Sequence, residues 1–429
     1  MLYKKGNILK IIAIALIFFI LGILIGYYAI LQQTTYVSFK KAGEIKIGVM
    51  LPLSGELGPI GSRMLKGALL AAKIINDTGG INGNYIKIIA EDTLALPEKA
   101  IEAAKKLIEI EGVKVIIGPA TSTEVLAISK YVNDREVVLI SMSATAEKIS
   151  ELGDDYVFRV VASDVMQTQA IASIIEEMKY KKIVTFVVAN DYGIGLEEGL
   201  KKLLGGKIAL SIRYDPAKGD YRTELMQVSS INPDAIFYAL WVESGIIVFK
   251  QALDMGLENI PTLGSEGMAD VAFFKDEKAA EYILKTGLTG SKPSSPKGTL
   301  GYNIFYEEYK KYFKEEPGLY CDYTYDATML AALSIAKASA YNGYEIKKAL
   351  ESTSKYYIGA TGHKAFDKNG DIILAEYDIW KVSKSIDGEY FFNIIGSWNT
   401  VQGLLMKKEW KRWRILNGFS INKLPTNIF

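Results

Sequence analysis

Five short runs carry the side chains suited to holding a small polar solute. Thr121, Ser122 and Thr123 follow the apolar run Ile117-Gly118-Pro119, and Ser141, Ser143 and Thr145 follow Leu139-Ile140. Hydroxyls and backbone N–H groups at the start of a helix suit a carboxylate or a phosphate, with the helix dipole assisting. Ser and Thr in the same places also serve as ordinary helix caps. Further on, Asn190-Asp191-Tyr192-Gly193, Tyr238-Ala239-Leu240-Trp241 and Leu263-Gly264-Ser265-Glu266-Gly267 end three more apolar runs. Glu266, between flexible residues, is placed to accept from an ammonium; its alternative is a solvated loop acid. Tyr192 and Trp241 serve either as walls of an apolar pocket or as core aromatics. An anion-binding half, a cation-binding half and aromatic walls together fit a zwitterion.

The elements that must position these groups alternate between strand and helix. Strands are expected at 45–51, 85–90, 113–118 and 137–141, with helices at 61–76, at 97–109 and from the Thr121 cluster to Asn133. A second round runs from Lys182, with strands at 183–189, 208–214, 235–240 and 262–263 and helices at 194–204, 222–230 and 244–253. Near-continuous apolar strands separated by helices mean parallel sheets covered on both faces. Two rounds predict two doubly wound lobes of α/β class. Ligands of such sheets bind beyond the carboxyl ends of the strands, often between lobes.

Composition narrows the chemistry. The chain has 429 residues, 49% of them apolar and 23% charged, which excludes disorder and allows two or three cores. Its single cysteine, Cys321, cannot form an intramolecular disulfide, and its single histidine, His363, leaves no His-based zinc site. Residues 1–44 carry a net charge of +4 and residues 400–429 carry +5, leaving −8 for the body, which is no footprint of a nucleic-acid binder. Residues 11–31 contain no charged, amide or carboxyl side chain. As a helix they span roughly 31 Å, the thickness of a bilayer core, with Tyr27 and Tyr28 near one end. They are expected to form an uncleaved membrane anchor (1–31), followed by a linker (32–44) and a body on the extracytoplasmic side. Near the other end, Met406, Trp410 and Trp413 recur at helical spacing among cations, which reads as an interfacial helix or one packed on the body.

The order of several motifs carries a resemblance. They are Ile47-Gly48-Val49-Met50-Leu51-Pro52-Leu53-Ser54-Gly55, Gly67-Ala68 through Ile75-Asn76, Gly79-Gly80-Ile81-Asn82-Gly83, Ile117-Gly118-Pro119, Asp191-Tyr192-Gly193, Gly264-Ser265-Glu266-Gly267, Thr361-Gly362, Phe366-Asp367 and Asn369-Gly370-Asp371. From about residue 45 to 398 the sequence resembles the Leu/Ile/Val-binding proteins, solute receptors of amino-acid ABC importers with the type I periplasmic-binding fold. The resemblance implies carboxylate contacts at Ser122, Ser143 and Thr145, an ammonium contact at Glu266, and walls at Tyr192 and Trp241, where Trp241 departs from the family's tyrosine. A first-lobe wall residue, often aromatic in the family, falls near Ile60. The resemblance further implies three hinge crossings, with lobe I at 45–160 and 290–368, lobe II at 161–289 and 369–398, and a tail at 399–429. It implies hinge closure on an apolar, branched-chain-like amino acid, delivery to ABC permease subunits, a monomer, and no cofactor or metal.

Two other classes compete. Gly193-Ile194-Gly195 with Gly199 is a near miss to a dinucleotide fingerprint, its third glycine one place late. An enzyme therefore has little to stand on. The other alternative is a sensor module that signals through a separate partner protein.

Overall fold

The computed structural model describes residues 43–408 other than Asp154. The expected anchor and most of the basic tail lie outside these residues. Among the described residues no helix is long and apolar enough to cross a membrane.

The first sheet takes β1 (Glu44–Leu51), β2 (Tyr85–Asp92), β3 (Val115–Ile117), β4 (Val138–Ser141) and β5 (Val157–Arg159) in the order β2-β1-β3-β4-β5, every pair parallel. Ile47, Val49, Met50 and Leu51 of β1 are fully buried, as are Val115, Ile116 and Ile117 of β3. That is why these strands read as unbroken apolar runs: both faces are covered by helices. One cover is the helix Gly58–Asp77, packed on Cys321–Lys337 from far along the chain. Gly67 allows this approach, because a Cβ there would lie 2.1 Å from the Cys321 carbonyl oxygen.

The second sheet begins the same way, with β6 (Ile183–Val188), β7 (Ile208–Tyr214), β8 (Ala235–Ala239), β9 (Thr262–Gly264) and β10 (Thr289–Pro293) all parallel. After a small hairpin of β11 (Ile358–Gly359) and β12 (Gly362–His363), three antiparallel strands extend it: β13 (Glu376–Lys384), β14 (Tyr390–Asn399) and β15 (Gly403–Met406). The order is β15-β14-β13-β10-β9-β8-β6-β7. The second lobe is therefore mixed, not wholly parallel as expected.

Two boundaries differ from expectation for the same reason. Strand β10 is bonded to β9 and β13, so residues 290–293, expected in lobe I, pair with strands of the second sheet. Met406, the first of the residues read at helical spacing, instead ends the edge strand Gly403–Met406 on β14. A four-residue strand is too short for its period to show, and the turn before it was the readable signal. There Asn399 Oδ1 accepts from the N–H groups of Val401 and Gln402, and Gly403 takes φ +68°.

The crossings at 160–163 and 372–375 run side by side. Arg159, fully buried, is paired through Nε and Nη2 with Asp371, and Arg159 bridges to Asp371 in register. In both sheets the strand order reverses next to a strand whose carboxyl end faces the other lobe: between β1 and β3, and between β6 and β8. Such reversals open a crevice; Ser122, Tyr192 and Trp241 follow strands at these reversals, while Ser143, Thr145 and Glu266 follow the neighbouring β4 and β9.

Candidate functional site

On the first-lobe side the chain leaves β3 through Gly118 at φ +107°, where a Cβ would sit 2.1 Å from the Met50 carbonyl oxygen. Thr121 then caps the helix Ser122–Asp134. Its Oγ1 accepts from Glu124 N at 3.4 Å, and Glu124 Oε2 accepts from Thr121 N at 3.0 Å and Oγ1 at 2.6 Å. Because Thr121 does the capping, Ser122 is released for other work. Its Oγ accepts from Ala146 N at 3.1 Å, which leaves its own proton to donate. The Ser143 hydroxyl donates to the Ala120 carbonyl at 2.8 Å, tying the two loops together. Arg159 Nη1 holds the second loop from below through the carbonyls of Ala146 (2.9 Å) and Ala144 (3.4 Å). Thr145 between them is buried, and its Oγ1 has no hydrogen-bond partner.

On the second-lobe side Asn190 caps the helix Asp191–Leu204, its Oδ1 accepting from Gly193 N at 3.0 Å. Gly193 lies so close to β6 that a Cβ would meet the Val188 carbonyl oxygen at 2.1 Å. The glycines of the near-miss fingerprint are thus packing positions inside a helix. This start places the Tyr192 ring on the Trp241 indole, stacked at 5.4 Å and 10°. Glu266 opens the short turn Glu266–Met268 directly after β9, and only 3% of it is exposed.

Burial pushes the Glu266 carboxyl above its usual range, while the Tyr192 hydroxyl, the Gln167 amide and the Tyr320 hydroxyl favour its charged form. None of them satisfies it fully: Glu266 Oε2, Tyr192 Oη, Tyr320 Oη, Ser265 Oγ and Gln167 Oε1 are buried without a hydrogen-bond partner. A second acid stands nearby. Asp164, 2% exposed at the start of the helix Asp164–Met178, has neither oxygen partnered. Burial, and next the charge of Glu266, push its carboxyl well above the ordinary range. Two buried acids with orphaned oxygens favour a cation, since unpaired charge in an apolar setting is costly.

Between the two sheets' strand ends these groups enclose a small cavity of about 60 Å³. Ser122, Ser143, Tyr192, Trp241 and Glu266 line it, while Thr145 lies behind, against Asp164. The remaining walls are mostly apolar, from Pro52, Leu57, Ile60, Met64, Val242 and Leu319, with Thr121 and Tyr320 among them. Sequence reasoning missed Asp164 and Tyr320. Ser163-Asp164 reads only as a helix start, and Tyr320 comes from a loop remote in sequence. Larger hollows of about 660 Å³ between Gln169 and Met406 and about 420 Å³ beside Lys364 gather no such set of orphaned groups. Among the described residues no cluster of three or more His, Cys, Asp or Glu side chains is arranged for a metal ion.

A family model described as periplasmic binding protein matches residues 44–385. The chain belongs to the periplasmic binding protein family. Its members bind solutes, and the relatives below are binding proteins by name, so the enzyme reading falls. The leucine-, isoleucine-, valine-, threonine-, and alanine-binding protein of Pseudomonas aeruginosa is 25% identical over 365 residues, 83% of this chain and 95% of that one. Leu/Ile/Val-binding protein homolog 3 of Brucella melitensis is 25% identical over a shorter stretch, 54% of this chain and 63% of that one. Among solved structures, the branched-chain amino acid transporter substrate binding protein LivJ of Streptococcus pneumoniae, in complex with isoleucine, shares the fold. Its TM-score is 0.69 at 24% identity, covering 82% of this chain and 99% of that one. The resemblance read from the motifs therefore holds across the body of this periplasmic binding protein.

Proposed function

We propose that this periplasmic binding protein is a membrane-tethered extracytoplasmic receptor that captures an apolar amino acid and delivers it to an ABC importer. One observation carries the reading: a small cleft cavity joins serine hydroxyls, a buried incompletely paired acid with a second one close by, and apolar walls. In this reading the Ser122 and Thr145 hydroxyls and the Ser143 backbone receive the α-carboxylate, assisted by the start of the helix Ser122–Asp134. Glu266, with Asp164 behind it, receives the α-ammonium. Leu57, Ile60, Met64, Val242 and Leu319 surround the side chain, and Tyr192 and Trp241 close one wall. No basic side chain lines the cavity, so an acidic amino acid has no partner there. The names of the relatives, which mention leucine, isoleucine and valine, agree with this choice.

The geometry supports capture by closure. The anion half belongs to the first lobe and most of the cation half to the second, so a zwitterion satisfies both only when the lobes are together. A closed form is what a permease recognises. The apolar run at 11–31 supplies the tether. The test is calorimetric titration of the full chain in detergent, stripped by unfolding and refolding, against the twenty amino acids. Tight binding of leucine, isoleucine or valine is expected, and binding of none of the twenty overturns the reading. A neighbouring gene for a kinase in place of a permease would favour the sensor module.

A further inference from the structure

Besides the groups that face the cavity, the two lobes meet through further polar contacts. Lys148 Nζ pairs with Asp191 Oδ1 at 2.9 Å, and Arg63 Nη2 with Asp270 Oδ2 at 2.5 Å. Glu56 makes a contact of another kind. Its Oε1 accepts from the backbone N–H of Ser244 at 3.0 Å and from the Ser244 hydroxyl at 2.7 Å. Ser244 lies in the first turn of the helix Val242–Asp254, whose own leading residue, Trp241, offers no side-chain cap. A first-lobe carboxylate thus caps a second-lobe helix, where the helix dipole favours a negative charge.

The bonding behind Glu56 has one direction. Because the Ser244 hydroxyl donates to Glu56, it must accept from the Tyr214 hydroxyl, 3.0 Å away. Tyr214 Oη in turn accepts from the Trp241 backbone N–H at 3.1 Å. The chain runs Trp241 N–H to Tyr214, Tyr214 to Ser244, and Ser244 to Glu56, each hydroxyl accepting once and donating once. Tyr214 and Ser244 are buried, so water does not compete along it. Such a series polarises toward the charge at its end. At its other end stands Trp241, whose indole is a wall of the cavity, and next to Glu56 stands Leu57, another wall. The base of the Glu56 loop is itself fixed, since Asp92 Oδ1 accepts from Leu53 N at 2.8 Å.

We propose that Glu56 is a positioning residue that locks the closed cleft and sets the Trp241 wall against the Leu57 wall, through Ser244 and Tyr214, without touching the ligand. This rests on the capture-by-closure reading for its purpose but not for its test. In the full chain in detergent, spin labels on cysteines replacing exposed Glu98 of the first lobe and Lys202 of the second report the lobe separation; the native Cys321 is buried. In the ligand-free protein, Glu56→Ala is expected to shift the distances toward a wider separation, with Glu56→Gln in between because it keeps the acceptor atom and loses the charge.

With leucine, isoleucine and valine as probes, Glu56→Ala should raise Kd by roughly tenfold for all alike, mainly through faster release. Ser244→Ala should add little to Glu56→Ala, since both act on one contact. Unchanged distances, an effect on one probe only, or additive Ser244→Ala and Glu56→Ala effects would each overturn the proposal. If none of the three probes binds while the distances still shift, the branched-chain choice falls and the lock stands.

Discussion

On the first-lobe face of the cleft the Ser122 and Ser143 hydroxyls are already engaged with backbone, at 3.1 and 2.8 Å, and Thr121 and Glu124 close a capping box beneath them. On the second-lobe face Glu266, Tyr192, Ser265 and Asp164 are buried with oxygens that nothing satisfies. One face is a prepared cradle with its Ser122, Ser143 and Thr121 hydroxyls already bonded, and only Thr145 Oγ1 and Glu124 Oε1 left over. The other stores an electrostatic cost that only a cation relieves. The difference implies that affinity and pH dependence come mainly from the second lobe, while the first lobe supplies orientation.

Removing the strongest element of that contrast should have the largest effect. Glu266→Ala leaves the ammonium unpaired and should cost about 2–5 kcal/mol of binding, at least 30-fold in Kd by calorimetry. The ligand-free protein should respond oppositely. Glu266→Gln removes a buried, incompletely paired charge, so its melting temperature should rise by roughly 1–3 °C. A fall in both affinity and stability would break the comparison, because Glu266 would then be an ordinary structural acid. Asp164→Asn should act in the same two directions, with a Kd increase of about tenfold.

The acids also set the response to pH. Burial raises both carboxyls in the folded, ligand-free protein, so the folded state holds their protons more tightly than the unfolded one. Their contribution to stability is fully present at low pH and is lost as pH rises through the raised values. Binding runs the other way. An ammonium needs ionised acids, so affinity should weaken as pH falls through the raised values, above the range in which ordinary carboxyls titrate. Titrations in buffers of different ionisation enthalpy, over a pH range that spans the raised values, should show proton release on binding. Proton uptake, or none, would remove the stored cost from the second-lobe face.

Much of this was legible in the residues. Buried runs such as Val115-Ile116-Ile117 name a parallel strand, and Ser122, Tyr192, Trp241 and Glu266 each stand where such a run ends. Asp164 was not legible, because its spacing says helix start and its lost partners are a matter of tertiary packing. Glu56 was hidden for the same reason, since its partner Ser244 is 188 residues away. The antiparallel edge of the second sheet escaped because the apolar alternation of a half-covered strand is weak beside the helical period that Met406 begins.

The smallest effects test the cradle. Ser122→Ala removes one donor to the carboxylate while neighbouring backbone N–H groups remain, so about 1 kcal/mol of binding should go, roughly fivefold in Kd. Thr121→Ala, one residue earlier, removes the cap, because only Thr121 Oγ1 bonds with Glu124 in both senses. It should cost about 1 kcal/mol of stability in denaturant unfolding and change Kd by less than about twofold. The two variants each delete a hydroxyl from adjacent positions on the same helix start, Thr121→Ala together with one methyl group. If Thr121→Ala weakens binding as much as Ser122→Ala, the hydroxyls are not divided between capping and capture. The first-lobe face would then be a strained site like the second, and both faces would share the work of holding the solute.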